Sequence, residues 1–169
     1  MPVQRYSTLA AYNAWANRRL YAAATALGEE ACARPAGAFF GSILNTLNHL
    51  VVADRIWLGR FEGIEMAQPA LDTILAPTLA GLFPLRAAED ARFIRFIAGL
   101  DAAGLAENIS YTNSSGARFQ QSLASALDHV FNHQTHHRGQ AHALVTLLGG
   151  RNAGPVLDLI AFQREQATA

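Results

Sequence analysis

The sequence predicts an all-α fold, namely a four-helix bundle with a small β-hairpin before the last main helix and a short C-terminal helix. Four segments carry apolar residues at helical spacing, which indicates four amphipathic helices. A segment of alternating residues around a polar turn precedes the fourth helix and indicates the hairpin. The chain has 169 residues, 51% of them hydrophobic, which is enough for one domain, residues 1–169, with a sizeable core.

The first two main helices are predicted in the N-terminal third of the chain. Residues 3–27 carry a helical apolar stripe, whereas residues 29–40 contain proline and glycine and predict a loop. Ser42 is a suitable N-cap for a second helix, Ile43–Phe61. This helix is apolar over more than half of its circumference, so we expect it to be buried against several neighbours.

A long connection and a third helix follow. Residues 65–84 contain three prolines and predict a connection long enough for a crossover in a bundle. Residues 85–100 predict the third helix. Its inward positions are expected to be Ala88, Phe93, Ile94, Ile97 and Leu100. Its charged positions are interpreted as a solvated face: Arg86, Glu89, Asp90, Arg92 and Arg95.

The C-terminal third contains the hairpin and the last two helices. Alternating residues in Asn108–Thr112 and 117–120 flank a turn at 113–116. Residues 122–148 contain no proline and are followed by two glycines, which predicts the last main helix. Residues 156–166 have a weaker helical pattern and are expected to dock on the bundle.

The last main helix carries a histidine cluster. Four of the six histidines in the chain lie within residues 128–140. His129, His133 and His137 are spaced four apart, which places them on one helical face with Cβ atoms about 5–6 Å apart. Two imidazoles at that spacing can reach a single metal ion, as in other helical zinc sites.

The helical phase ranks these histidines. His137 lies in the middle of the apolar arc of its helix, and His133 lies within the same arc. His129 and His136 lie at or beyond one edge of the arc, and His142 lies at the opposite edge. Phase alone therefore selects His133 and His137 as the inward pair.

Other interpretations of these residues stay open at this point. A single histidine on an apolar face is usually a hydrogen-bonded core residue, and a pair can be a surface cluster. Two inward imidazoles would cost several kcal/mol if unpaired, and a metal or a carboxylate partner would remove that cost. His49, in the second helix, fits an ordinary core histidine. Asp54 falls in the middle of an apolar stripe and is expected to pair with an arginine or a histidine ring.

The composition excludes several kinds of chemistry. All thirteen basic residues are arginine, so a Schiff-base lysine and a phosphate-binding loop lysine are both excluded. The chain has no Gly-x-Ser-x-Gly nucleophile motif and no glycine-rich dinucleotide-binding motif. The histidines and their surroundings are the remaining candidates for chemistry.

Charge and cysteine content predict the environment. The net charge of zero gives no attraction to nucleic acid or to an anionic membrane. No apolar run reaches transmembrane length, and the N-terminus does not resemble a signal peptide. The single Cys32 cannot form an intramolecular disulfide and is interpreted as structural. A cytoplasmic location is expected.

Several motifs resemble one family. The pattern Asn132-His133-x-x-x-His137-Arg138-Gly139-Gln140, followed by Leu-Leu-Gly-Gly, is similar to the signature of the DinB (damage-inducible) family. Three further segments agree with its first helix, its second helix and its tail: residues 12–17, residues 47–50 with Trp57, and residues 158–162. The resemblance covers nearly the whole chain, and the histidine segment is its most specific part.

The resemblance implies a site and an assembly. It implies an up-down-down-up bundle, a homodimer, and one divalent metal per chain held by His49, His133 and His137. His129 then becomes a candidate for contact with a ligand histidine, and His136 an exposed or dimer-surface residue. Zinc or nickel is the expected metal, with iron, manganese or copper as alternatives, because imidazole suits several transition metals.

The resemblance also implies a function. Family members of known activity are metal-dependent thiol transferases and thiol-dependent isomerases. We therefore expect a metal that activates a thiol or water for transfer to, or hydrolysis of, a small electrophile, with a low-molecular-weight thiol as partner. The alternative is a non-enzymatic, dimeric metal-binding protein with a stress-response or scaffold role. Catalytic residues stay unassigned, and five polar residues are candidates to line the site: Tyr12, Asn45, Asp54, Asn132 and Gln140.

Overall fold

The structure is a computed structural model that describes residues 2–64, 69–113 and 115–168. Part of the predicted connection, residues 65–68, and one residue of the predicted turn, Ser114, lie outside the described residues. The elements are α1 (Pro2–Leu27), α2 (Glu29–Ala33), α3 (Ile43–Phe61), α4 (Leu79–Ala98), α5 (Ala102–Ala106), β1 (Asn108–Thr112), β2 (Arg118–Ser122), α6 (Leu123–Gly149) and α7 (Leu159–Ala167), with a 3-10 turn at Arg151–Ala153. The all-α prediction, with a hairpin before the last main helix, is confirmed.

The four long helices run up, down, down and up. The hydroxyl of Tyr6 donates to Asp128 at 3.1 Å, and Arg138 donates to Asn17 at 3.2 Å, so residue numbers rise together in α1 and α6. These two helices are therefore parallel.

The other two helices run in the opposite direction. In α3, His49 meets His133 and Trp57 meets His129 further back along α6, so α3 is antiparallel to α6. Asp54 pairs with Arg86, and Glu62, just after the end of α3, pairs with Arg92 further along α4. Helix α4 is thus parallel to α3, and the connection between them crosses the length of the bundle.

The core has two apolar halves separated by a polar layer. One half lies around Leu20, Leu47, Leu82 and Leu144, and the other lies around residues such as Phe93. Between them, each long helix contributes buried polar or charged residues: Asn13, Asn17, Asp54, Arg86, Glu89, Asp90, Gln134 and Arg138. A bundle with such a layer fixes the relative heights of its helices, because a shift would separate buried charges from their partners.

The prediction of a solvated face on the third helix was wrong for three of its five residues, whereas Arg95 is exposed as predicted. Arg86, Glu89 and Asp90 are only 1%, 6% and 6% exposed, because they form the α4 part of the polar layer. Ile94, expected to be inward, is instead 43% exposed, and Ala88 is also exposed. Helix α4 is rotated so that its ion-paired residues, not its longest apolar stripe, complete the inner face.

Helix α4 also begins six residues earlier than the predicted 85–100 and contains Pro84. Thr78 caps it by accepting a hydrogen bond from Gly81 N–H at 3.1 Å. The carboxylate of Glu29 accepts from the N–H groups of Leu79 and Ala80 at 2.8 and 3.1 Å. These two caps satisfy N–H groups of the first turn that have no partner within the helix. Their stabilisation of the helix outweighs the loss of the one backbone hydrogen bond that Pro84 cannot donate.

The remaining elements agree with the sequence except in one segment. Helix α3 has the predicted bounds, and β1 pairs with β2 in an antiparallel hairpin from Asn108↔Ser122 to Thr112↔Arg118. Residues 29–40, expected to be a loop, begin with the short helix α2, whose glutamate and alanine residues favour a helical turn before Pro35. Helix α7 docks on α1 through contacts of Phe162 with Trp15, as predicted.

The apolar second helix is covered within one chain. Fourteen of its nineteen residues are buried, in contact with α4 and α6. None of the helices in the described part of the chain has an apolar stretch suited to spanning a bilayer.

Candidate metal centre

Three histidines from two helices converge at one point of the bundle. His49 comes from α3, and His133 and His137 come from adjacent turns of α6. One ring nitrogen from each lies within 4.8 Å of the others, and Nε2 of His49 is 3.2 Å from Nε2 of His133. Two nitrogens of a tetrahedral zinc site, at bonds of 2.0–2.1 Å, are about 3.3 Å apart. The cluster therefore can hold one metal ion.

Hydrogen bonds orient two of the three rings. Nδ1–H of His49 donates to the carbonyl oxygen of Leu71 at 2.8 Å, and Nδ1–H of His137 donates to Oε1 of Gln140 at 2.8 Å. The proton of each ring is thereby held at Nδ1, which leaves the lone pair at Nε2 available to bind a metal. Such an outer partner is the usual companion of a metal-binding histidine.

The environment keeps the three rings neutral. Burial lowers the pKa of His49 and of His137 below the ordinary value of 6.5. Burial, reinforced by the neighbouring histidines, lowers the pKa of His133 to about 3. Neutral imidazoles are the form that binds metal, so the local electrostatics suit a cation and disfavour a proton.

Phe40 closes one side of the cluster. Its ring stacks on His49 with centroids 3.9 Å apart and planes at 21°, and it meets the edge of His137 at 5.4 Å. Phe40 lies in the segment predicted as a loop. The sequence feature that could have indicated its packing role is the pair of aromatic residues just before the Ser42 cap. The contact of the Leu71 carbonyl could not be predicted from the sequence, because every residue type has a backbone oxygen.

A cavity of about 530 Å³ opens next to His133. Its lining includes Ala53, Trp57 and His129. The His129 ring lies 5.0 Å from the Trp57 ring and 5.9 Å from the His133 ring. Burial, and then the charge of Arg60, lowers the pKa of His129. His129 is therefore a neutral neighbour of a cluster histidine.

The polar layer anchors the helix that carries His133 and His137. Gln134, next to His133, donates from Nε2 to the carboxylate of Asp54 and, at 3.3 Å, to the carbonyl of Leu50. Arg138, next to His137, donates to the side-chain oxygens of Asn13 and Asn17 in the same layer. These bonds fix the rotation of α6, and so the direction in which its two histidines point.

The five polar candidates have different positions. Gln140 contacts the cluster by orienting His137. Asp54 lies in the polar layer, paired with an arginine, as its position in the stripe suggested. Asn45 lies in the first turn of α3, next to the Ser42 cap. Tyr12 donates to the carbonyl of Leu157 at 2.6 Å, away from the cluster, and Asn132 is exposed.

Two other histidines and the single cysteine lie outside the three-histidine cluster. His136 is exposed and accepts from Nε2 of Gln140 at 3.1 Å. His142 donates to the carbonyl of Pro155 at 3.0 Å. Cys32 is fully buried, with its thiol donating to the carbonyl of Ala24 at 3.2 Å. Burial raises the pKa of Cys32 to about 11, which agrees with its interpretation as a structural residue.

Comparison with known proteins places these features in a family. A family model described as "DinB family" matches residues 1–166. The chain is similar to Protein DinB of Bacillus subtilis (strain 168), with 25% identity over 164 residues and 94% of each chain covered. No solved structure gives a match. Because the family model spans almost the whole chain, from the first helix through the histidine cluster to α7, this protein belongs to the DinB family.

Proposed function

We propose that this protein is a metal-dependent enzyme that activates a thiol or a water molecule for attack on a small electrophilic substrate. The observation that carries the proposal is the convergence of His49, His133 and His137, with ligand atoms within 4.8 Å. A divalent ion held by three imidazoles keeps free coordination positions and lowers the pKa of a thiol or water bound there. Zinc or nickel is the proposed metal, with iron, manganese or copper as alternatives.

The residues around the histidine cluster support this proposed function. The Leu71 carbonyl and Gln140 hold the ring protons of two histidines at Nδ1. Phe40 packs against the rings of His49 and His137, and the cavity beside His133 leaves room for a substrate. The chain has no lysine, and its buried thiol is poorly placed to act as a nucleophile. An external thiol or water is therefore the proposed attacking group.

Metal content tests the first part of the proposal. Protein purified without chelators should contain about one transition metal ion per chain by element analysis, and His133→Ala should lose it. His142→Ala is the matched control on the same helix and should keep its metal, because His142 contacts Pro155 instead of the cluster. Full metal content in the His133 variant would place the metal elsewhere.

Turnover tests the second part. The metal-loaded protein should transfer a low-molecular-weight thiol to, or hydrolyse, a small electrophile, and a chelator should remove this activity. A protein that binds metal at the three histidines but turns over no thiol or ester substrate would support the scaffold or stress-response alternative.

We also propose that the chain forms a homodimer in the cytoplasm. The apolar α3 does not require a partner, since it is buried within the chain. Exposed apolar side chains are a better reason: Phe39 is 85% and Leu147 is 69% exposed, and large exposed apolar groups often mark interfaces. Sedimentation velocity at micromolar concentration should give a dimer, and a monomer there would contradict the proposal.

A further inference from the structure

The outer face of α4 is apolar, whereas a surface helix usually turns its charged residues outward. Nine residues of this helix, all of which the structure describes, are exposed to solvent, and Arg95 is the one with a polar side chain. The charged residues Arg86, Glu89 and Asp90 are instead buried in the polar layer. The other exposed residues of α4 are Ala80, Gly81, Phe83, Pro84, Ala87, Ala88, Ile94 and Ala98. Because contiguous apolar surfaces often mark interaction sites, this face is a candidate for one.

The central row of this face has the spacing of a seam between two helices. The row, which we call the α4 seam, consists of Ala80, Pro84, Ala87, Ala91, Ile94 and Ala98. Its residues are separated alternately by four and three positions, the repeat with which one helix packs along another. The seam is about 27 Å long at a rise of 1.5 Å per residue. Its alanine side chains are small enough for the axis of a second helix to approach within about 8–10 Å. The shape of the seam therefore fits a helix.

The two bulky side chains of the face are placed to meet those of a second copy. Phe83 is 41% exposed and Ile94 is 43% exposed. They are separated by about three helical turns, so both lie on the same edge of the face. The midpoint between them falls next to Ala88, close to the middle of the seam. When two copies of α4 pack antiparallel about a twofold axis at this midpoint, Phe83 of each copy meets Ile94 of the partner subunit.

The one cation of the face also has a counterpart in a second copy. The carboxylate of Glu29 lies at the first turn of α4, where it accepts hydrogen bonds from the N–H groups of Leu79 and Ala80 at 2.8 and 3.1 Å. Glu29 is exposed. In the antiparallel pair, Arg95 of one copy lies over the first turn of the other α4, close to Glu29 of the partner subunit. A parallel pair would instead place the two Arg95 side chains at the same height, where their like charges repel.

We propose that the outer face of α4 is an interface between two copies of this chain, which pack α4 against α4 in antiparallel orientation. The seam forms its centre, Phe83 packs against Ile94 of the partner subunit, and Arg95 pairs with Glu29 of the partner subunit. This inference rests on the homodimer proposed above and specifies its interface. It does not depend on the metal, because the three cluster histidines lie on α3 and α6.

A charge in the seam tests the location of the interface. Ala87→Glu places a carboxylate in the middle of the seam, where dimerisation would bury it without a partner. Sedimentation velocity on the full chain should show the dimer weakened at least about a hundredfold. The monomer should stay folded, because Ala87 is exposed and glutamate favours helix. Ala143→Glu is the matched control at an exposed alanine of α6 and should remain dimeric. A dimer that persists in Ala87→Glu would overturn the inference.

Charge reversal tests the orientation. Arg95→Glu brings a carboxylate close to Glu29 of the partner subunit and should weaken the dimer about threefold to tenfold. The effect should be larger at low salt than at high salt, because the groups lie at the exposed rim. Arg151→Glu is the control, since Arg151 is exposed outside α4. Equal dissociation constants for the two variants at low salt would contradict the antiparallel arrangement.

Crosslinking gives a second measure of the location that does not weaken the dimer. In a Cys32→Ala background, Ala88→Cys places a thiol next to the twofold axis, close to the same thiol of the partner subunit. A short bismaleimide reagent should convert this variant into a covalent dimer, seen on a denaturing gel. Ala143→Cys in the same background should give little covalent dimer. The reverse result, with crosslinking at residue 143 and none at residue 88, would place the interface on α6 and overturn the inference.

Measurements on the unmodified protein separate this inference from the proposals on which it rests. A monomer at micromolar concentration would contradict the homodimer and this interface together. A dimer that survives Ala87→Glu would contradict the interface alone. Metal content should be the same in Ala87→Glu and in the unmodified protein, and chelator treatment should leave the dimer intact. A protein that crosslinks at residue 88 but binds no metal would contradict the metal-dependent function and leave this inference supported.

Discussion

Arg86 of α4 and Asp54 of α3 form an ion pair in the middle of the bundle, with Nη2 2.5 Å from Oδ2 and both side chains 1% exposed. The same Nη2 lies 3.0 Å from the carboxylate of Asp90. Asp90 in turn accepts from Asn13 and Asn17 of α1 at 3.2 and 2.9 Å. One guanidinium thereby links three helices, and through Asp54 and Gln134 it is joined to α6, the helix of two cluster histidines.

Replacing this arginine should destabilise the bundle strongly. Arg86→Met keeps much of the side-chain volume but leaves the carboxylates of Asp54 and Asp90 buried without their cation. Removing one partner of a buried ion pair typically costs about 3–5 kcal/mol. Urea unfolding followed by circular dichroism should show a loss of that size in the free energy of unfolding.

Arg95→Met is the matched control, because Arg95 is exposed on the same helix. Its effect should stay within about 0.5 kcal/mol, as for most surface substitutions. Similar unfolding midpoints for the two variants would mean that the buried pair contributes no more than a surface charge.

Sequence periodicity failed to predict the buried polar layer. Periodicity counts apolar residues, so it treated Arg86, Glu89 and Asp90 as solvated and assigned Ile94 to the core. Their burial depends on partners from other helices, such as Arg55, which donates to Glu89 at 2.8 Å. No local pattern on α4 reveals these partners. The sequence did mark Asp54 as unusual, and its partner proved to be the arginine of the next long helix.

The members of the histidine cluster could be predicted from the sequence. Phase selected His133 and His137, the family resemblance added His49, and the structure brings the three together. Contacts made by the connections between helices could not be predicted. Phe40 and the Leu71 carbonyl both come from such segments, and their contacts with His49 exist only after the chain has folded.

Gln140 should contribute to metal affinity without binding the metal. Gln140→Ala removes the acceptor that holds the His137 proton at Nδ1, so part of the population will present the wrong nitrogen. Loss of such an outer partner typically weakens metal binding about 10–100-fold. Competition with a chromophoric zinc chelator measures this directly. Asn132→Ala, at an exposed position two turns earlier on α6, should leave the affinity unchanged.

Phe40 should have a smaller effect on the same measurement. Its ring restricts the orientation of His49 by stacking at 3.9 Å. Phe40→Ala should lower zinc affinity about twofold to tenfold, the equivalent of one aromatic contact. Phe83→Ala offers a control of identical size, because Phe83 is 41% exposed and its ring contacts Tyr21 of α1 and not the histidine cluster. If both variants bind zinc equally well, the stacking does not position His49.

The stability of the metal-free protein should fall as the pH is lowered below neutrality. The pKa of His133 is about 3 in the folded chain, against an ordinary value of 6.5. Between these values the unfolded chain takes up a proton that the folded chain rejects, so unfolding becomes more favourable as the pH drops. Urea midpoints measured on metal-free protein at pH 7.5 and at pH 5.0 should show this decline.

Variants separate this contribution from that of other groups. Burial raises the pKa of Asp54 to about 6 although Arg86 opposes the shift, and a raised carboxyl pKa acts in the opposite direction, favouring the folded state at low pH. Comparison of the unmodified protein with His133→Gln cancels that effect. The variant should lose less stability between the two pH values, whereas the exposed His136→Gln should follow the unmodified protein. An unchanged slope in His133→Gln would exclude His133 as the source.

Cys32 should be dispensable for activity. Its thiol is fully buried, donates to the carbonyl of Ala24, and has a pKa raised to about 11 by burial, so the nucleophilic thiolate is scarce at neutral pH. Cys32→Ala should therefore retain metal content and thiol-transfer or hydrolytic rates within about twofold, with only the modest loss of stability expected for a smaller core side chain. Alkylating reagents should likewise leave the folded protein active. An inactive Cys32→Ala that still binds metal and unfolds normally would mean that the attacking group belongs to the protein, which would contradict the external nucleophile at the centre of the proposed reaction.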